Sequence, residues 1–488
     1  MSLDTTAPVR VSRELRAQIR WWRRGHSELA WGSVIADAYT ILLSVLVYGS
    51  MLATGLVRAG ARISACRTEA CLTARTATPI LLLLAALAIL TALARLVGPL
   101  VASRATAALV LAAPVDRRAW LLPQLVAGLV TVSGVAGVLV AVGAAVTGWP
   151  VAAAAVVAGA LAVLLHSGAL LAQVEPRSPW RRAPVVASLL TAAVLAAVAL
   201  GLFAGVTPPD GPLTWSVAAA AVAAATVTTV RAWRRLTLIR RRDLVRGHSL
   251  TRGLAGAMAG LDPALAFDVV LARSAEERGS VRPRRGGLPG GWAPAGADLI
   301  RLRRHPGRAL ALLAALTAPY AAAVSGAGVF VVPLALLLGW LVALPLGAGM
   351  RVLGRSPSVG RLLGAHPARL RLAALVVPGA VLLCFGLACA PALPGADPMT
   401  RLACGAAVGI GSCAALARWH LASPPDYNRP LASTPMGAVP TNLYGSAVRG
   451  LDIVGLVSIP LLLSPDLTGA AVSLALSGVV LGVLVRRE

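Results

Sequence analysis

The sequence predicts an all-α, polytopic helical membrane protein with about 12 transmembrane helices. Hydrophobic residues occupy 57% of its 488 positions, and charged residues occupy 13%, about half their share in a typical soluble domain. Apolar runs recur at roughly the 20-residue length that crosses the hydrocarbon core of a bilayer. Arginine is concentrated between alternate runs, as expected where successive helices cross the membrane in opposite directions.

The chain divides into four predicted segments. Residues 1–30 are basic and predict an amphipathic helix on the inner membrane surface, because Trp and apolar residues recur there at helical spacing. Residues 31–230 and 306–488 each hold six predicted spans, and residues 231–305 form an Arg-rich cytoplasmic linker. The predicted spans lie near Trp31–Val57, Pro79–Val101, Leu121–Thr147, Val151–Gln173, Pro184–Val206, Leu213–Val230, Arg308–Val324, Gly328–Met350, Leu372–Leu393, Thr400–Arg418, Gly450–Ser464 and Thr468–Val485.

The distribution of positive charge orients these spans. The 45 basic residues are all Arg, 16 of them lie in the linker, and only about six lie away from the inner segments. This asymmetry places both termini and the linker in the cytoplasm and predicts a multi-pass protein of a bacterial plasma membrane. The net charge of +26 is therefore assigned to topology, and the predicted partner of this charged surface is the lipid bilayer rather than nucleic acid.

The sequence contains no Lys, which excludes the catalytic and ATP-binding sites that need this residue. Ala, Gly, Arg and Pro abound instead, a composition typical of a high-GC bacterium such as an actinomycete. Without Lys the chain lacks the P-loop motif G-x-x-x-x-G-K-[ST] and any Schiff-base Lys. Paired carboxylates, a nucleophile triad and a metal-ligand cluster are not evident either, so the sequence predicts no catalytic residue, metal or cofactor. If the protein uses ATP, a separate chain must bind it.

Two segments repeat at matching places in the two halves. Residues 20–30 (RWWRRGHSELA) resemble residues 301–311 (RLRRHPGRALA), and each leads into the first span of its half. Residues 103–119 align without gaps on residues 356–372, in the loop between the second and third spans of each half. The identical pairs are Ser103 with Ser356, Leu109 with Leu362, Ala112 with Ala365, Pro114 with Pro367 and Arg118 with Arg371. Because both halves start inside, the sequence predicts two parallel six-helix repeats.

This architecture resembles the membrane-spanning permease subunit of ABC-type exporters, with two halves fused in one chain. The resemblance lies in the basic pre-span helix, the six spans and the segment Gly98-Pro99 … Ala113-Pro114-Val115-Asp116-Arg117-Arg118 that leads into span 3. It implies that the loop between spans 2 and 3 docks on separate ABC-type ATPase subunits, present as a dimer at the cytoplasmic face. The segment RRRDLVRGHSLTRGLAGAMAGLD also resembles an actinobacterial family of integral membrane proteins, a likeness that implies no activity.

The predicted partner-coupling residues lie in these two loops. A short inner helix with Pro at a turn and a nearby Arg can insert into a groove on a partner and follow its motion, although an ordinary basic inner loop has the same composition. The residues are Pro114, Asp116, Arg117 and Arg118 in the first copy and Pro367, Arg369 and Arg371 in the second. Because the second copy lacks the Asp-Arg-Arg triplet, the first copy is expected to contribute more.

Cys66 and Cys71 predict a disulfide in the one long outer loop, since the outside of the cell is oxidising. This bond would close a small ring between residues 66 and 71.

Two other functions share the same sequence pattern. A secondary, ion-coupled carrier with 12 spans also has two halves and a long central inner loop, and Asp116-Arg117-Arg118 resembles the corresponding loop of such carriers. Those carriers usually have the fuller pattern G-x-x-x-D-R-x-G-R, which is absent here, and the spans hold almost no acidic residue for ion coupling. A non-transporting membrane scaffold is the third possibility. The sequence favours the permease, with a lipophilic or amphipathic cargo.

Overall fold

The structure of the protein is a computed structural model that describes residues 68–113, 116–175, 178–202, 211–259, 263–278, 287–422, 432–434, 437–439 and 448–486, together with the single positions Glu14, Ala17, Gln18, Trp21 and Tyr39. Most of predicted span 1 and most of the predicted N-terminal amphipathic helix lie outside these residues.

The chain forms two compact units. Unit 1 comprises Met1–Thr191 and Phe203–Arg252, and unit 2 comprises Ala192–Leu202 and Gly253–Glu488. The boundary at Arg252 falls inside the Arg-rich segment 231–305, so that segment contributes residues to both units.

The first six described helices are, in chain order, α1 (Glu69–Val97), α2 (Arg117–Thr147), α3 (Val151–Val174), α4 (Ala183–Ala199), α5 (Gly211–Arg234) and α6 (Arg241–Ala259). A π-helical turn at Thr106–Val110 and 3-10 turns at Pro179–Arg182 and Leu236–Leu238 connect them. Within unit 1, α3 packs extensively on both α2 and α5. The turn between α2 and α3 is tight because Gly148 ends α2 with a φ of 76°, a left-handed conformation that glycine adopts without a Cβ penalty.

The remaining helices are α7 (Pro263–Arg278), α8 (Ala293–Arg304), α9 (Gly307–Val324), α10 (Val331–Ala343), α11 (Ala348–Arg355), α12 (Pro357–Leu362), α13 (Pro367–Cys389), α14 (Pro398–Leu421), α15 (Leu451–Leu463) and α16 (Leu467–Arg486). Four 3-10 turns lie at Gly290–Trp292, Gly328–Phe330, Leu344–Leu346 and Ala390–Ala392. A short antiparallel hairpin pairs β1 (Ala432–Thr434) with β2 (Gly437–Val439), with Ser433 opposite Ala438. In unit 2, α14 is central and packs on α10, α13, α15 and α16.

Helices α13 and α14 cross with their backbones in contact. Gly405 and Gly409 form a G-x-x-x-G pattern on α14, and a Cβ atom at Gly409 would lie 2.7 Å from the carbonyl oxygen of Leu382. A Cβ atom at Gly386 on α13 would collide with the backbone of both α14 glycines. Small residues permit this approach between helices in a membrane, where dispersion contacts rather than water exclusion hold helices together.

Nine helical segments among the described residues are long and apolar enough to cross a membrane. They are Arg75–Val97, Arg117–Thr147, Val151–Val174, Pro179–Ala199, Gly211–Arg234, Gly328–Leu346, Pro367–Ala392, Pro398–Leu421 and Leu467–Arg486. Shorter apolar helices at Leu310–Val324 and Leu451–Leu463 fall where spans 7 and 11 are predicted. These findings confirm the predicted class, a predominantly helical protein whose apolar helices indicate a multi-pass membrane protein.

Two boundaries differ from the prediction. Helix α1 begins at Glu69, ten residues before the predicted start of span 2 at Pro79, so that Cys71 lies in a helix rather than a loop. The hydroxyl of Thr73 donates a hydrogen bond to the carbonyl of Glu69 at 2.9 Å and is satisfied within this first part of α1. Predicted span 8, by contrast, is not one helix through Met350, because the 3-10 turn Leu344–Leu346 separates α10 from α11.

Candidate functional site

The first predicted coupling segment joins α1 to α2 over residues 98–116. It begins at Gly98, whose φ of 90° turns the chain out of α1. Asp116 then caps α2, since its carboxylate accepts a hydrogen bond of 2.9 Å from the backbone nitrogen of Arg118. Arg117 donates to the carbonyl oxygen of Leu111 at 3.2 Å and ties the segment to the start of α2. Pro114 lies outside the described residues.

Arg118 connects this segment to the last helix of the first half. Its guanidinium donates a hydrogen bond of 3.1 Å to the carbonyl oxygen of Arg234, the residue that ends α5. The same guanidinium lies over the ring of Trp233, 5.9 Å from the ring centroid. The C-terminal carbonyls of a helix lack intrahelical donors and carry a partial negative charge, so a cation is well placed there.

The first segment also packs on α6. The backbone nitrogen of Ala102 donates to the carbonyl of Leu244 at 3.0 Å. Leu100 and Leu111 are fully buried in a cluster that includes Leu244. A Cβ atom at Gly247 would collide with the carbonyl of Val97, so α6 lies directly against the C-terminal end of α1. One side of the first coupling segment is therefore packed against α6, in the same unit.

The second coupling segment joins α11 to α13 and contains the short helix α12. Pro367 occupies the first turn of α13, where a missing N–H group costs nothing, and His366 caps the helix by accepting from the backbone nitrogen of Ala368 at 3.3 Å. The aliphatic part of Arg369 packs against Gly291, where a Cβ atom would lie 3.0 Å from Arg369 Cδ. Residue 291 belongs to the Arg-rich segment 231–305, so that segment covers part of the second copy.

Arg371 binds the end of the last helix of the second half. Its guanidinium lies 3.3 Å from the carbonyl oxygen of Val485 and 3.5 Å from that of Leu484, in the last turn of α16. The aligned position in the first copy is Arg118, which binds the end of α5. The two aligned arginines thus make the same kind of contact, each within its own unit.

A cluster that the sequence did not predict lies in the first half of α7. Asp268 forms ion pairs with both Arg351 and Arg355 on α11, and the three side chains are 17%, 12% and 38% exposed. The Arg351 guanidinium also lies over the ring of Phe267, 5.1 Å from its centroid. The detectable signal was an isolated acid at position 268 in the apolar stretch ALAFDVVLA (residues 264–272), where a buried charge needs a partner. Within the described part of the chain, no three His, Cys, Asp or Glu side chains could hold a metal ion.

A second carboxylate of the Arg-rich segment, Asp298 on α8, is also buried. It is 4% exposed, accepts a hydrogen bond of 2.6 Å from Arg301, and faces Gly349 on α11. Burial raises the pKa of the Asp298 carboxyl, and the neighbouring Arg301 and Arg308 partly oppose that rise. The folded state consequently binds a proton at Asp298 more tightly than the unfolded chain does.

This shift predicts a pH dependence of stability. The stability that Asp298 contributes should fall as the pH rises from about 4, near the pKa of an unfolded Asp, through the raised pKa. The melting temperatures of the wild type and Asp298→Asn would be measured against pH in detergent. As the pH rises, the melting temperature of the wild type should fall relative to that of Asp298→Asn. Asp397→Asn is the opposite control, because hydrogen bonds from Thr400 lower the pKa of the exposed Asp397 carboxyl. The melting temperature of the wild type should therefore fall relative to that of Asp397→Asn as the pH falls. Parallel curves for Asp298→Asn and the wild type would contradict the assignment.

A groove of about 600 Å³ lies within unit 1 between α2, α3 and α5. Its wall is mostly apolar, with the hydroxyls of Ser133, Thr226 and Thr229 among the lining residues. Thr226 donates to its own helix at 2.8 Å, and Thr229 is hydrogen-bonded to Ser167 at 2.9 Å. Because these two hydroxyls are satisfied within the protein, the groove suits hydrocarbon better than a polar molecule.

Cys66 lies outside the described residues, so the predicted disulfide with Cys71 stays a prediction. The proposed contacts of the coupling residues with a partner stay predictions as well.

Comparison with known proteins identifies a family. No curated protein and no solved structure matches the chain. One family model, described as a family of unknown function (DUF6297), matches residues 71–430, which include both coupling segments and the groove. The chain therefore belongs to the DUF6297 family.

Proposed function

We propose that the chain is the permease component of an ATP-driven exporter in a bacterial plasma membrane and works with separate ATP-binding subunits. The observation that carries the proposal is the matched pair of Arg118 and Arg371. Arg118 follows the segment between predicted spans 2 and 3, and Arg371 follows the corresponding segment between predicted spans 8 and 9. Each binds the final carbonyls of the last helix in its half. The two aligned inner segments thus make the same contact between an arginine and a helix end, which supports two parallel repeats. A dimeric partner could act on two such repeats.

The order of helix packing gives further support to the two repeats and to 12 spans. In unit 1, α3 packs on the preceding α2 and on α5, the last helix of the first half. In unit 2, α14 packs on the preceding α13 and on α16, the last helix of the second half. Under the proposed alignment these are the same neighbours. The short helices α9 and α15 then take the places of spans 7 and 11.

The source of energy follows from the missing P-loop Lys. The chain contains no Lys and therefore no P-loop, so a separate subunit at the inner surface would bind and hydrolyse ATP. Asp116, Arg117 and Arg118 would transmit such motion, because they join the first segment to the start of α2 and to the end of α5. The apolar groove in unit 1 is a suitable place for a lipophilic or amphipathic cargo, since ligand sites of roughly 300–1,000 Å³ are mostly apolar.

The double reversal Arg117→Glu, Arg118→Glu tests the coupling role. A charge-assisted hydrogen bond from either arginine to an acidic group of the ATPase would contribute about 1.5–3 kcal/mol. Loss of one such bond should weaken ATPase association about tenfold or uncouple hydrolysis from transport. The tagged full-length chain would be purified from its native host, and the co-purified ATPase activity would be measured. Membrane insertion should be unchanged.

Arg241→Glu, Arg242→Glu is the matched control, since it makes the same charge change at two adjacent exposed arginines of α6. Association and transport that survive the Arg117 and Arg118 reversal would count against the permease. Transport by the purified chain alone, driven by an ion gradient in liposomes, would instead establish a secondary carrier.

A further inference from the structure

A narrow polar cleft lies within unit 2 at the C-terminal end of α14. Arg351 and Arg355 of α11, His420 of α14 and Arg449 are among the residues that line it. Helix α14 has 24 residues, so it is about 36 Å long and exceeds the roughly 30 Å hydrocarbon core of a bilayer. The end of α14, and the cleft with it, therefore lies at the level of the lipid headgroups.

The arginines of α11 carry more positive charge than their carboxylate balances. Arg351 and Arg355 both pair with Asp268, and among the described residues no other carboxylate forms an ion pair with either of them. Two guanidinium groups and one carboxylate leave one positive charge. Because charge that is partly withdrawn from water is costly without a counter-ion, this excess favours an anion in the cleft.

His420 contributes a buried nitrogen without a partner. The residue is 3% exposed, and its Nε2 lies 3.0 Å from the carbonyl oxygen of Leu344. Because a carbonyl oxygen only accepts, Nε2 carries a hydrogen and donates it. In a neutral imidazole Nδ1 is then an acceptor, and among the described residues no group donates to it. The edge of the ring formed by Nε2 and Cδ2 faces Gly347, so Nδ1 lies on the other edge.

The width of the cleft restricts what can enter it. Its free volume is about 10 Å³, roughly the space that one water molecule needs. A larger ligand therefore enters with a single atom and leaves its body outside, within reach of Arg355, whose side chain is 38% exposed. The entering atom must donate a hydrogen to His420 Nδ1, and the atoms beside it must carry negative charge for the arginines.

We propose that this cleft binds a phosphate monoester. Its P–OH group donates to His420 Nδ1, and its charged oxygens accept from the guanidinium groups of Arg351 and Arg355. A phosphate diester has charged oxygens but no P–OH hydrogen, so it satisfies the arginines alone. Phosphatidic acid in the membrane and glycerol 3-phosphate in solution share the required group.

Native mass spectrometry of the wild-type full-length chain in detergent tests the ligand class. Dioleoyl phosphatidic acid and dioleoyl phosphatidylmethanol, which is a diester, would be titrated at pH 6, where about half of a phosphate monoester keeps its hydrogen. Phosphatidic acid should bind about tenfold more tightly, because it alone satisfies the buried acceptor. Equal affinities, or no adduct with either lipid, would overturn the proposal and leave a water molecule as the occupant of the cleft.

Arg355→Gln tests the contact with the charged oxygens. It keeps the ion pair between Asp268 and Arg351 and should weaken the binding of phosphatidic acid about 10- to 100-fold, since one charge-assisted hydrogen bond is lost. Arg361→Gln is the matched control, because it removes the same charge from an exposed arginine of α12 and should leave the affinity unchanged. Wild-type affinity in Arg355→Gln would count against the site.

His420→Gln tests the contact with the P–OH group. The amide nitrogen of glutamine can still donate to the carbonyl oxygen of Leu344, but glutamine places no acceptor where Nδ1 lies. The affinity for phosphatidic acid should fall to that for phosphatidylmethanol, which should itself stay the same. A variant that still prefers phosphatidic acid would contradict the role of Nδ1. If this variant does not elute as a monodisperse protein, the wild-type comparison of the two lipids decides.

Competition with glycerol 3-phosphate identifies the source of the ligand. Displacement of phosphatidic acid by equal concentrations of glycerol 3-phosphate would assign the cleft to a soluble monoester. Phosphatidic acid that remains bound under these conditions would assign the cleft to the membrane lipid, whose acyl chains then add to the affinity.

Discussion

Asp268→Ala should lower the free energy of unfolding by about 3 kcal/mol, because it leaves two arginines without their carboxylate. Removal of one partner from a buried ion pair costs roughly 3–5 kcal/mol, and the lower end applies because Arg355 is 38% exposed. Helix α7 would lose its ionic contact with α11. The apparent melting temperature of the full-length chain in detergent would report the loss.

Glu175→Ala is the matched control, since it also removes one carboxylate from an arginine. The Glu175–Arg235 pair has an N–O distance of 3.0 Å, and its side chains are 56% and 49% exposed. Exposed pairs contribute about 0–1 kcal/mol, so this change should barely move the melting temperature. An equal effect of the two substitutions would show that Asp268 is no better shielded from water than Glu175.

Gly409→Leu should abolish the folded, monodisperse protein. A Cβ atom at this position would lie 2.7 Å from both the Leu382 carbonyl oxygen and the Leu383 Cα atom, which belong to the backbone of α13. Backbone cannot rotate aside as a flexible side chain can, so the two helices would have to separate. Overpacking of a well-packed interior typically costs about 1–3 kcal/mol, and a backbone collision between central helices belongs at the upper end or beyond it. Fluorescence-detected size exclusion would measure the remaining folded fraction.

Gly478→Leu is the corresponding control on α16, because a Cβ atom at Gly478 would meet nothing within 4 Å. It makes the same substitution in another apolar helix and should leave the elution profile unchanged. Comparable loss of folded protein for both variants would mean that glycine is required for helix flexibility rather than for the close crossing of α13 and α14.

Hydrophobic runs predicted the helices well where turn residues bounded them. Span 4 was predicted at Val151–Gln173, and α3 covers Val151–Val174 because Pro150 and Gly148 end the preceding helix and start the next. The break in span 8 was missed although Pro345 marks it, since proline lacks the N–H group that a continuing helix needs. The early start of α1 could not be read from hydropathy, because its first residues are polar.

The contacts of the candidate site were much harder to predict. Arg118 and Arg371 bind backbone carbonyls at distant helix ends, and a carbonyl acceptor leaves no mark in a sequence. Asp268 and its arginine partners are individually visible, but their pairing depends on how α7 folds back onto α11. Leu109 is 75% exposed, which the sequence did not predict, because leucine by itself predicts burial.

The crossing of α13 and α14 has a consequence for biogenesis. The two helices are joined only by the short stretch 390–397, and their glycines bring backbone to backbone without any contribution from later parts of the chain. Contacts between segments close in sequence have a small loop-closure cost and form quickly. We therefore expect these helices to enter the bilayer as a preassembled hairpin during synthesis, and α15 and α16 to assemble on it afterwards.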